Sequence, residues 1–366
     1  MNPRPNNMGA SVFEHVRREA KERKRDVQAE AQSYAIRRFI ARLMGADQEG
    51  RASIKGGQAL GILFGNDRRP TKDLDLSING SGLDDPDGWV RRLIEAACAD
   101  IDDGVSFKSE DIQIEHRVHQ GSGGYRMTIR STIHTCRTDF VVDVGMTDSL
   151  KFKPIDVTLD DRYPHAPASP VVRVYPVEAS FAEKLLSKIE DGASNIRHKD
   201  FYDLWNIHKI TTKIGDLGYI TASTFDLSDE TLAWRDEVVT KIKDGTFLEL
   251  PDVDVAEECL DMFGYALYRC SLTRGTPIPA DIMTHLREEF ANDQHQSTQY
   301  SNWIKNQRAR LINLPPGSDD KGAALGILLD EIDAFVSVIS TRAGELMATY
   351  GNEPPSLEIL TGNIMP

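Results

Sequence analysis

Residues 55–76 of the chain read KGGQALGILFGNDRRPTKDLDL and contain the pattern that decides the fold. A Gly-Gly pair opens the stretch, an apolar run follows, and Asp73-Leu74-Asp75 comes near its end. We predict a short helix over the apolar run and a strand at Asp73, because alternate strand residues point to one face. The two carboxylates then converge. They repel unless a cation lies between them. A charged strand edge in water is the commoner origin of an isolated pair of this kind.

The composition limits the kinds of protein that this can be. A length of 366 residues predicts about two domains, and 40% hydrophobic residues are enough for a packed core. The net charge of −14 argues against a uniformly basic surface for nucleic acid, but it leaves room for a local basic groove. The cysteines form no CxxC pair, which predicts reduced, mostly buried thiols. With no apolar signal region and no membrane-spanning run, we expect a cytoplasmic protein.

Periodicity divides the chain into four predicted parts. Residues 1–45 form an N-terminal helical segment, 46–165 an α/β core, 166–350 a mainly helical domain and 351–366 a loose tail. Residues 1–10 are expected to be disordered, and the helix around Phe39 is expected to have an apolar face. In the helical domain, DIMTHLREEFAND, residues 281–293, is a predicted helix, and a looser segment is expected between Ile214 and Pro251. In the core, the segments SEDIQIEHRVH, YRMTIRSTI and TDFVVDVGM have an apolar period of two, which is typical of strands. The predicted class is therefore α+β, with a small mixed twisted sheet, flanking helices and a C-terminal helical domain.

Basic residues are dense in the N-terminal helical segment. They are Arg17, Arg18, Lys21, Arg23, Lys24, Arg25, Arg37, Arg38 and Arg42. Acidic residues interleaved with the first six favour a solvated helix with salt bridges. A groove for a polyanion is the less favoured interpretation.

If the Asp pair binds metal, a third carboxylate is expected from a neighbouring strand. Asp143 is the best candidate, because it lies between Val142 and Val144 in an apolar strand. A buried unpaired carboxylate is costly, and a metal or a lysine would remove that cost. Asp139 shares the same strand face and is interpreted as a strand-entry residue in water.

Groups that bind phosphate are expected beside the Asp pair. Gly56 and Gly57 expose backbone N–H groups at a helix start, where the helix dipole favours anions. Arg68, Arg69 and Lys72 lie between the glycines and the carboxylates, either as a solvated loop or within reach of a triphosphate. Arg69 is the preferred candidate among them.

A second set of charged residues lies in the predicted helical domain. Lys184 and Lys188 are four residues apart and share a helix face, a spacing that is usually solvated. Asp200 lies in RHKDFYDLW, residues 197–205, and its residue type and position alone indicate a structural role as a cap or as an ion-pair partner of Arg197 or Lys184.

Four stretches together resemble the AbiEii/AbiGii-type nucleotidyltransferase toxins. This family belongs to the DNA polymerase beta-like nucleotidyltransferase superfamily and includes the MenT tRNA-modifying toxins. The likeness extends from about Tyr34 to about Ile304. The stretches are YAIRRFIARL with IKGGQAL and RRPTKDLDL; FVVDVGMTDSL; YPVEASFAEKLLSKIEDGASNIRHKDFYDLW; and RGTPIP with EEFANDQHQSTQYSNWI. The resemblance implies a polymerase beta-like core for the α/β part.

The resemblance also implies roles for the matching residues in the core. Asp73, Asp75 and Asp143 would bind Mg²⁺ in a two-metal site that could also accept Mn²⁺, and Asp143 could accept the proton of the acceptor hydroxyl. Gly56 and Gly57 would bind the triphosphate of an NTP substrate.

Further members of the expected nucleotide site come from the loop and from the helical domain. Lys184 would contact the nucleotide phosphates, and Asp200 would organise that lysine or the acceptor site. Arg69, Lys72 and Lys188 complete the set.

The implied activity is transfer of NMP from NTP to an RNA 3′ end, with the tRNA acceptor end as the leading candidate. The protein would then be a toxin of a toxin–antitoxin or abortive-infection phage-defence system, opposed by a separate antitoxin. Three alternatives stay open: transfer to a protein hydroxyl or to a small molecule such as an aminoglycoside, an idle nucleotide-binding module, and a helical protein with an accidental Asp pair. The sequence leaves open the nucleotide, the number added, the antitoxin's identity and the oligomeric state.

Overall fold

The computed structural model divides the chain into two compact units, Met1–Tyr175 and Pro176–Pro366. The residues that the structure describes are 7–22, 25–64, 71–108, 114–119, 122–147, 152–159, 163, 170–194, 197–214, 237–238, 240–242, 246–308, 311, 313–320 and 322–355.

Over its described residues, the first unit combines helices with an eight-stranded sheet. Its helices are α1 (Met8–Glu22), α2 (Val27–Ala46), α3 (Gly56–Phe64) and α4 (Pro86–Cys98). Its strands are β1 (Ala52–Lys55), β2 (Asp73–Asn79), β3 (Ser106–Lys108), β4 (Glu115–His119), β5 (Ser122–Ile133), β6 (Cys136–Thr147), β7 (Ile155–Thr158) and β8 (Val171–Val174). The strands predicted for YRMTIRSTI and TDFVVDVGM are confirmed as parts of β5 and β6. Of the predicted strand SEDIQIEHRVH, Glu115–His119 forms β4, and residues 109–113 lie outside the described residues.

The sheet is mixed, with the strand order β3-β5-β6-β2-β1-β8-β7 and with β4 paired to β5. The central strand β2 runs parallel to β6 and antiparallel to β1. Helices cover the same sheet, and a mainly helical unit follows, so the predicted α+β class is confirmed.

One face of the sheet packs against α2 and α4. The predicted apolar face of α2 is buried, and Phe39 makes edge contacts with Phe107 and Phe140 at ring-centroid distances of 5.4 and 5.3 Å. Leu74 and Val142 belong to the same apolar cluster. Burying this face orients the alternate residues of β2 and β6 to the opposite face.

The N-terminal helical segment forms two helices, and the first begins earlier than predicted. Helix α1 starts at Met8, whose side chain is buried, although residues 1–10 were expected to be disordered. Helix α2 starts after Asp26, whose side chain accepts a hydrogen bond of 2.9 Å from the Ala29 N–H. An Asp at this position satisfies a free N–H of the first helical turn and so separates the two helices.

Two basic residues of α2 are buried and are not available to a polyanion. Arg38 Nε lies 2.9 Å from an Asp103 carboxylate oxygen, and Arg42 Nη2 lies 2.5 Å from the other. Arg42 also donates to the backbone carbonyls of Ala99 and Val105. On α1, by contrast, exposed Arg17 pairs with Glu14, as expected for a solvated helix.

The second unit is mainly helical in its described part. Its helices are α5 (Val177–Asp191), α6 (Lys199–Ile214), α7 (Glu257–Arg274), α8 (Ile282–Leu286), α9 (Gln294–Gln307) and α10 (Ala324–Tyr350). The helix predicted for residues 281–293 is confirmed in part, because α8 ends at Leu286 and a π-helical turn continues it over Arg287–Ala291. Most of the looser segment expected between Ile214 and Pro251 lies outside the described residues, as do residues 356–366 of the tail.

The four cysteines are free thiols, which confirms the sequence prediction. Cys98, Cys259 and Cys270 are buried, and Cys136 is partly exposed.

Candidate active site

The carboxylates of β2 lie on the sheet face opposite the helix-covered core. Leu74 and Leu76 are buried, whereas Asp73 and Asp75 are partly exposed. This alternation is the one that the sequence predicts for a strand with one covered face.

The third carboxylate is brought beside this pair by the parallel pairing of β2 with β6. Asp75 lies directly opposite Asp143, and Asp73 lies opposite Val141. Paired residues of adjacent strands share a sheet face, so all three carboxylates lie on the same side. The prediction that Asp143 is embedded in apolar surroundings is wrong. Its side chain is 34% exposed, because the buried neighbours Val142 and Val144 point to the other face.

Two cationic residues that the sequence reasoning missed extend this row. Lys55 of β1 pairs with Asp75, and Arg126 of β5 pairs with Asp143. Four adjacent strands, in the order β1-β2-β6-β5, therefore carry Lys55, Asp75, Asp143 and Arg126 on one face. Arg126 Nη1 lies 3.6 Å from Asp143 Oδ1, and Lys55 Nζ lies 4.3 Å from the ring centre of Tyr175. The alternation of residues in β5 predicts which face of the sheet carries Arg126. Only the strand register shows that its neighbour on β6 is Asp143.

The Gly-Gly pair forms the junction between β1 and α3. Gly56 has φ +64°, and a Cβ atom built on it would overlap the carboxylate of Asp75. A Cβ on Gly57 would lie 3.1 Å from the Thr71 hydroxyl. The pair therefore lets the chain turn in a left-handed conformation while a carboxylate sits against the start of a helix.

The loop candidates for phosphate binding are only partly within the structure. Lys72 is exposed and immediately precedes β2. Arg68 and Arg69 lie outside the described residues.

The three carboxylates offer the donor set that Mg²⁺ prefers, which is oxygen from carboxylate groups. In the described ranges, no three Asp, Glu, His or Cys side chains form a group already arranged to hold a metal ion. The backbone register thus fits a metal site, and ion binding would require the aspartate side chains to rotate toward one another. Asp143, which lies within 3.6 Å of Arg126, is the clearest case.

The second unit holds the other predicted residues in a buried ionic cluster. Lys184 Nζ lies 2.9 Å from Asp200 Oδ1 and 2.8 Å from Asp203 Oδ2, and Arg197 Nε lies 3.0 Å from Asp200 Oδ2. The expectation that helix lysines are solvated is wrong here, because Lys184 is only 7% exposed. The expected pairing of Asp200 with Lys184 and Arg197 is confirmed. Burial raises the pKa of Asp200, but the charges of Lys184 and Arg197 outweigh it and hold that pKa below its usual value.

Lys188 lies one helical turn after Lys184 and is fully buried. Its Nζ donates to the Arg197 carbonyl at 3.0 Å and lies 4.6 Å from the ring centre of Phe201 and 5.4 Å from that of Phe290. Burial lowers the pKa of Lys188 to about 8, with the nearby Asp200 charge acting in the opposite direction. In this position Lys188 contacts protein groups, which favours a role in holding α5 against α6 over direct nucleotide binding.

Comparison with known proteins identifies the family. The model of the nucleotidyl transferase AbiEii toxin family, of the type IV toxin–antitoxin system, matches residues 38–317. The chain belongs to this family. It is therefore a nucleotidyltransferase toxin, and the matched region includes the three strand carboxylates together with Lys184 and Asp200. Membership of a toxin–antitoxin family implies an antitoxin partner for this AbiEii toxin.

Two solved structures from Helicobacter pylori are similar to the AbiEii toxin. JHP933 is 13% identical, with a TM-score of 0.41, and the match covers 88% of this chain and 97% of that chain. A chain described as a candidate nucleotidyltransferase is also 13% identical, with a TM-score of 0.36 and coverage of 88% and 98%. No sequence among the curated proteins matches significantly. Among the described helices of the AbiEii toxin, none has the length and apolarity needed to cross a membrane.

Proposed function

We propose that this AbiEii toxin transfers NMP from an NTP to an RNA 3′ end, with the tRNA acceptor end as the first acceptor to test. The observation that supports it best is the strand register, which pairs Asp75 with Asp143 and places Asp73 on the same face. Three carboxylates on one face of two adjacent strands are the ligands that metal-assisted phosphoryl transfer needs.

Asp73, Asp75 and Asp143 would hold Mg²⁺ or Mn²⁺. When bound, the cation would polarise the phosphate oxygens and lower the pKa of an acceptor hydroxyl. The acceptor oxygen would attack the α-phosphorus, and the bond from that phosphorus to the pyrophosphate oxygen would break. In this proposal Asp143 accepts the hydroxyl proton.

Backbone and side-chain donors would bind the leaving pyrophosphate. The start of α3 at Gly56 and Gly57 offers N–H groups and the positive end of a helix dipole to the triphosphate. The phosphate contact that the sequence assigns to Lys184, with Asp200 as its positioning partner, stays a prediction. Positive charge that is already in place before the reaction begins stabilises the charge that develops on the phosphates.

Transfer to a protein hydroxyl is the second candidate, and the charge distribution favours it. Residues 176–366 contain 31 acidic and 17 basic side chains, whereas residues 1–175 contain 26 of each. A strongly acidic unit repels an RNA backbone, but it does not repel a polypeptide acceptor with basic surface.

A labelling assay tests the proposal. The protein is incubated with Mg²⁺, each α-labelled NTP in turn, total RNA and cell extract. Asp75→Asn is compared with Asp139→Asn, which removes an exposed carboxylate from the same face of β6. We expect label on tRNA-sized RNA with the unsubstituted chain and with Asp139→Asn. That label should be lost with Asp75→Asn and after chelation of Mg²⁺.

Two other outcomes would redirect the proposal. Label on a protein band, lost in Asp75→Asn, would move the acceptor to a polypeptide. Equal labelling by Asp75→Asn and by the unsubstituted chain would show that transfer does not need the strand carboxylates.

A further inference from the structure

Asp143 lies beside the permanently charged guanidinium group of Arg126. Arg126 lies directly across from it on the antiparallel strand β5, and Arg126 Nη1 lies 3.6 Å from Asp143 Oδ1. Both side chains are about one-third exposed, at 35% and 34%. The pair therefore lies at the solvent boundary of the face that also carries Asp73 and Asp75.

We propose that Arg126 is a positioning residue that competes with the divalent cation for Asp143. This inference rests on the metal site of the proposed function. Without a cation, Arg126 offsets the charge of Asp143 and keeps its carboxylate turned toward β5. When the cation binds, Asp143 turns toward Asp75 and leaves the guanidinium. Arg126 thereby sets how much free Mg²⁺ the toxin needs.

The geometry of the pair suits a counter-charge that can be displaced. At 3.6 Å and one-third exposed, the Arg126–Asp143 contact is longer and wetter than the Arg38–Asp103 contact, which is 2.9 Å long with both side chains buried. Solvated ion pairs exchange partners at low cost, whereas a buried pair cannot lose one partner without leaving the other charge unpaired.

The same two strands provide a matched control pair. Arg130 lies four residues after Arg126 on the same face of β5, and it pairs across the strands with Asp139. Both Arg130 and Asp139 are exposed. Arg130→Gln therefore removes the same charge from the same strand and face, but beside a carboxylate outside the proposed metal site.

The test is a calorimetric titration of the full chain with Mn²⁺ alone, without nucleotide. We expect Arg126→Gln to lower the Kd for Mn²⁺ about three- to tenfold, because a repelling charge near the ion is removed. Arg126→Lys should stay close to the unsubstituted value, and Arg130→Gln should change Kd less than twofold. Thermal denaturation of each variant confirms that it is folded.

Each contrary result has a distinct meaning. An Arg126→Gln Kd equal to or higher than the unsubstituted value overturns the competition. An unchanged Mn²⁺ Kd with a raised KM for NTP would make Arg126 a phosphate ligand instead, which also overturns it. Failure of the unsubstituted chain to bind Mn²⁺ would overturn the metal site itself, and the role of Arg126 with it.

Discussion

At the scale of single residues, Gly56 shows how a missing side chain shapes the candidate site. Its φ of +64° is a conformation that residues with a Cβ adopt at a cost, and the space that a Cβ would fill is taken by the Asp75 carboxylate. Glycine at this position therefore allows the turn between β1 and α3 and leaves room for the Asp75 carboxylate.

Gly56→Ala should abolish nucleotide transfer because the added methyl group displaces Asp75. Gly82→Ala is the matched control, since Gly82 has φ +70° and no atom within 4 Å of an added Cβ. Both variants should lose about 1 kcal/mol of stability from backbone strain. Only Gly56→Ala should lose transfer in the labelling assay. If Gly82→Ala lost as much transfer, general destabilisation would explain both results.

Lys188 makes a prediction about alkaline stability. Burial lowers its folded-state pKa to about 8, below the usual lysine value of 10.5. Between these values the unfolded chain binds more protons than the folded chain, so the free energy of unfolding rises with pH. From pH 8 to pH 10, the unsubstituted chain should gain about 2 kcal/mol relative to Lys188→Met.

Urea unfolding at each pH measures this difference. Lys305→Met, which removes an exposed lysine of α9, is the control and should show no comparable gain. Parallel curves for the unsubstituted chain and Lys188→Met would mean that Lys188 stays charged in the folded protein.

At the scale of elements, an ionic network joins α2 to the connection between α4 and β3. Asp103 accepts from Arg38 and Arg42, and Arg42 also donates to the Ala99 and Val105 carbonyls. Burial raises the pKa of Asp103, but hydrogen bonds and charge from Arg42 and Arg38 outweigh it and hold that pKa below its usual value.

Asp103→Asn should destabilise the protein by about 3 kcal/mol, because it leaves two guanidinium groups without their buried counter-charge. A carboxyl with a lowered folded pKa contributes stability above its unfolded pKa and loses it as pH falls through the folded value. The difference from the unsubstituted chain should therefore shrink below about pH 4. Chemical denaturation at pH 7 and pH 3 tests this. Asp102→Asn, an exposed neighbour, should cost far less.

Most elements of the first unit could be predicted from sequence because their signals are local. The strands β5 and β6 follow an alternation of apolar residues, and α4 begins with an Asp85 cap and a proline. The change from α-helical to π-helical geometry at Arg287 has no comparable local signal in the sequence, and Phe290 in this turn is fully buried.

At the scale of the whole molecule, the net charge is divided unequally. The second unit carries the entire −14, and the first unit is balanced. Averaged over the chain, a net charge of −14 only argues against a uniformly basic surface for nucleic acid. Divided between the units, it gives neither unit the excess of positive charge that would bind many phosphates of the proposed RNA acceptor.

The salt dependence of tRNA binding should therefore be shallow. A plot of log K against log salt concentration should have a slope between about −1 and −3, which corresponds to four or fewer phosphates. Fluorescence titration of labelled tRNA at several KCl concentrations measures it. A slope steeper than about −5 would require a dedicated basic surface, which the distribution of charge between the two units does not predict.

The sequence by itself determined the features that depend on neighbouring residues. It gave the two-carboxylate face of β2, the glycine turn before α3 and the family motifs, because strand alternation, glycine conformation and motif spacing are local properties. Only the tertiary structure decided which distant residues meet. It placed Asp143 opposite Asp75, set Lys55 and Arg126 at the ends of their row, and buried Lys184 and Lys188. Strand register and helix packing depend on the whole core, so a pattern within one segment does not contain them.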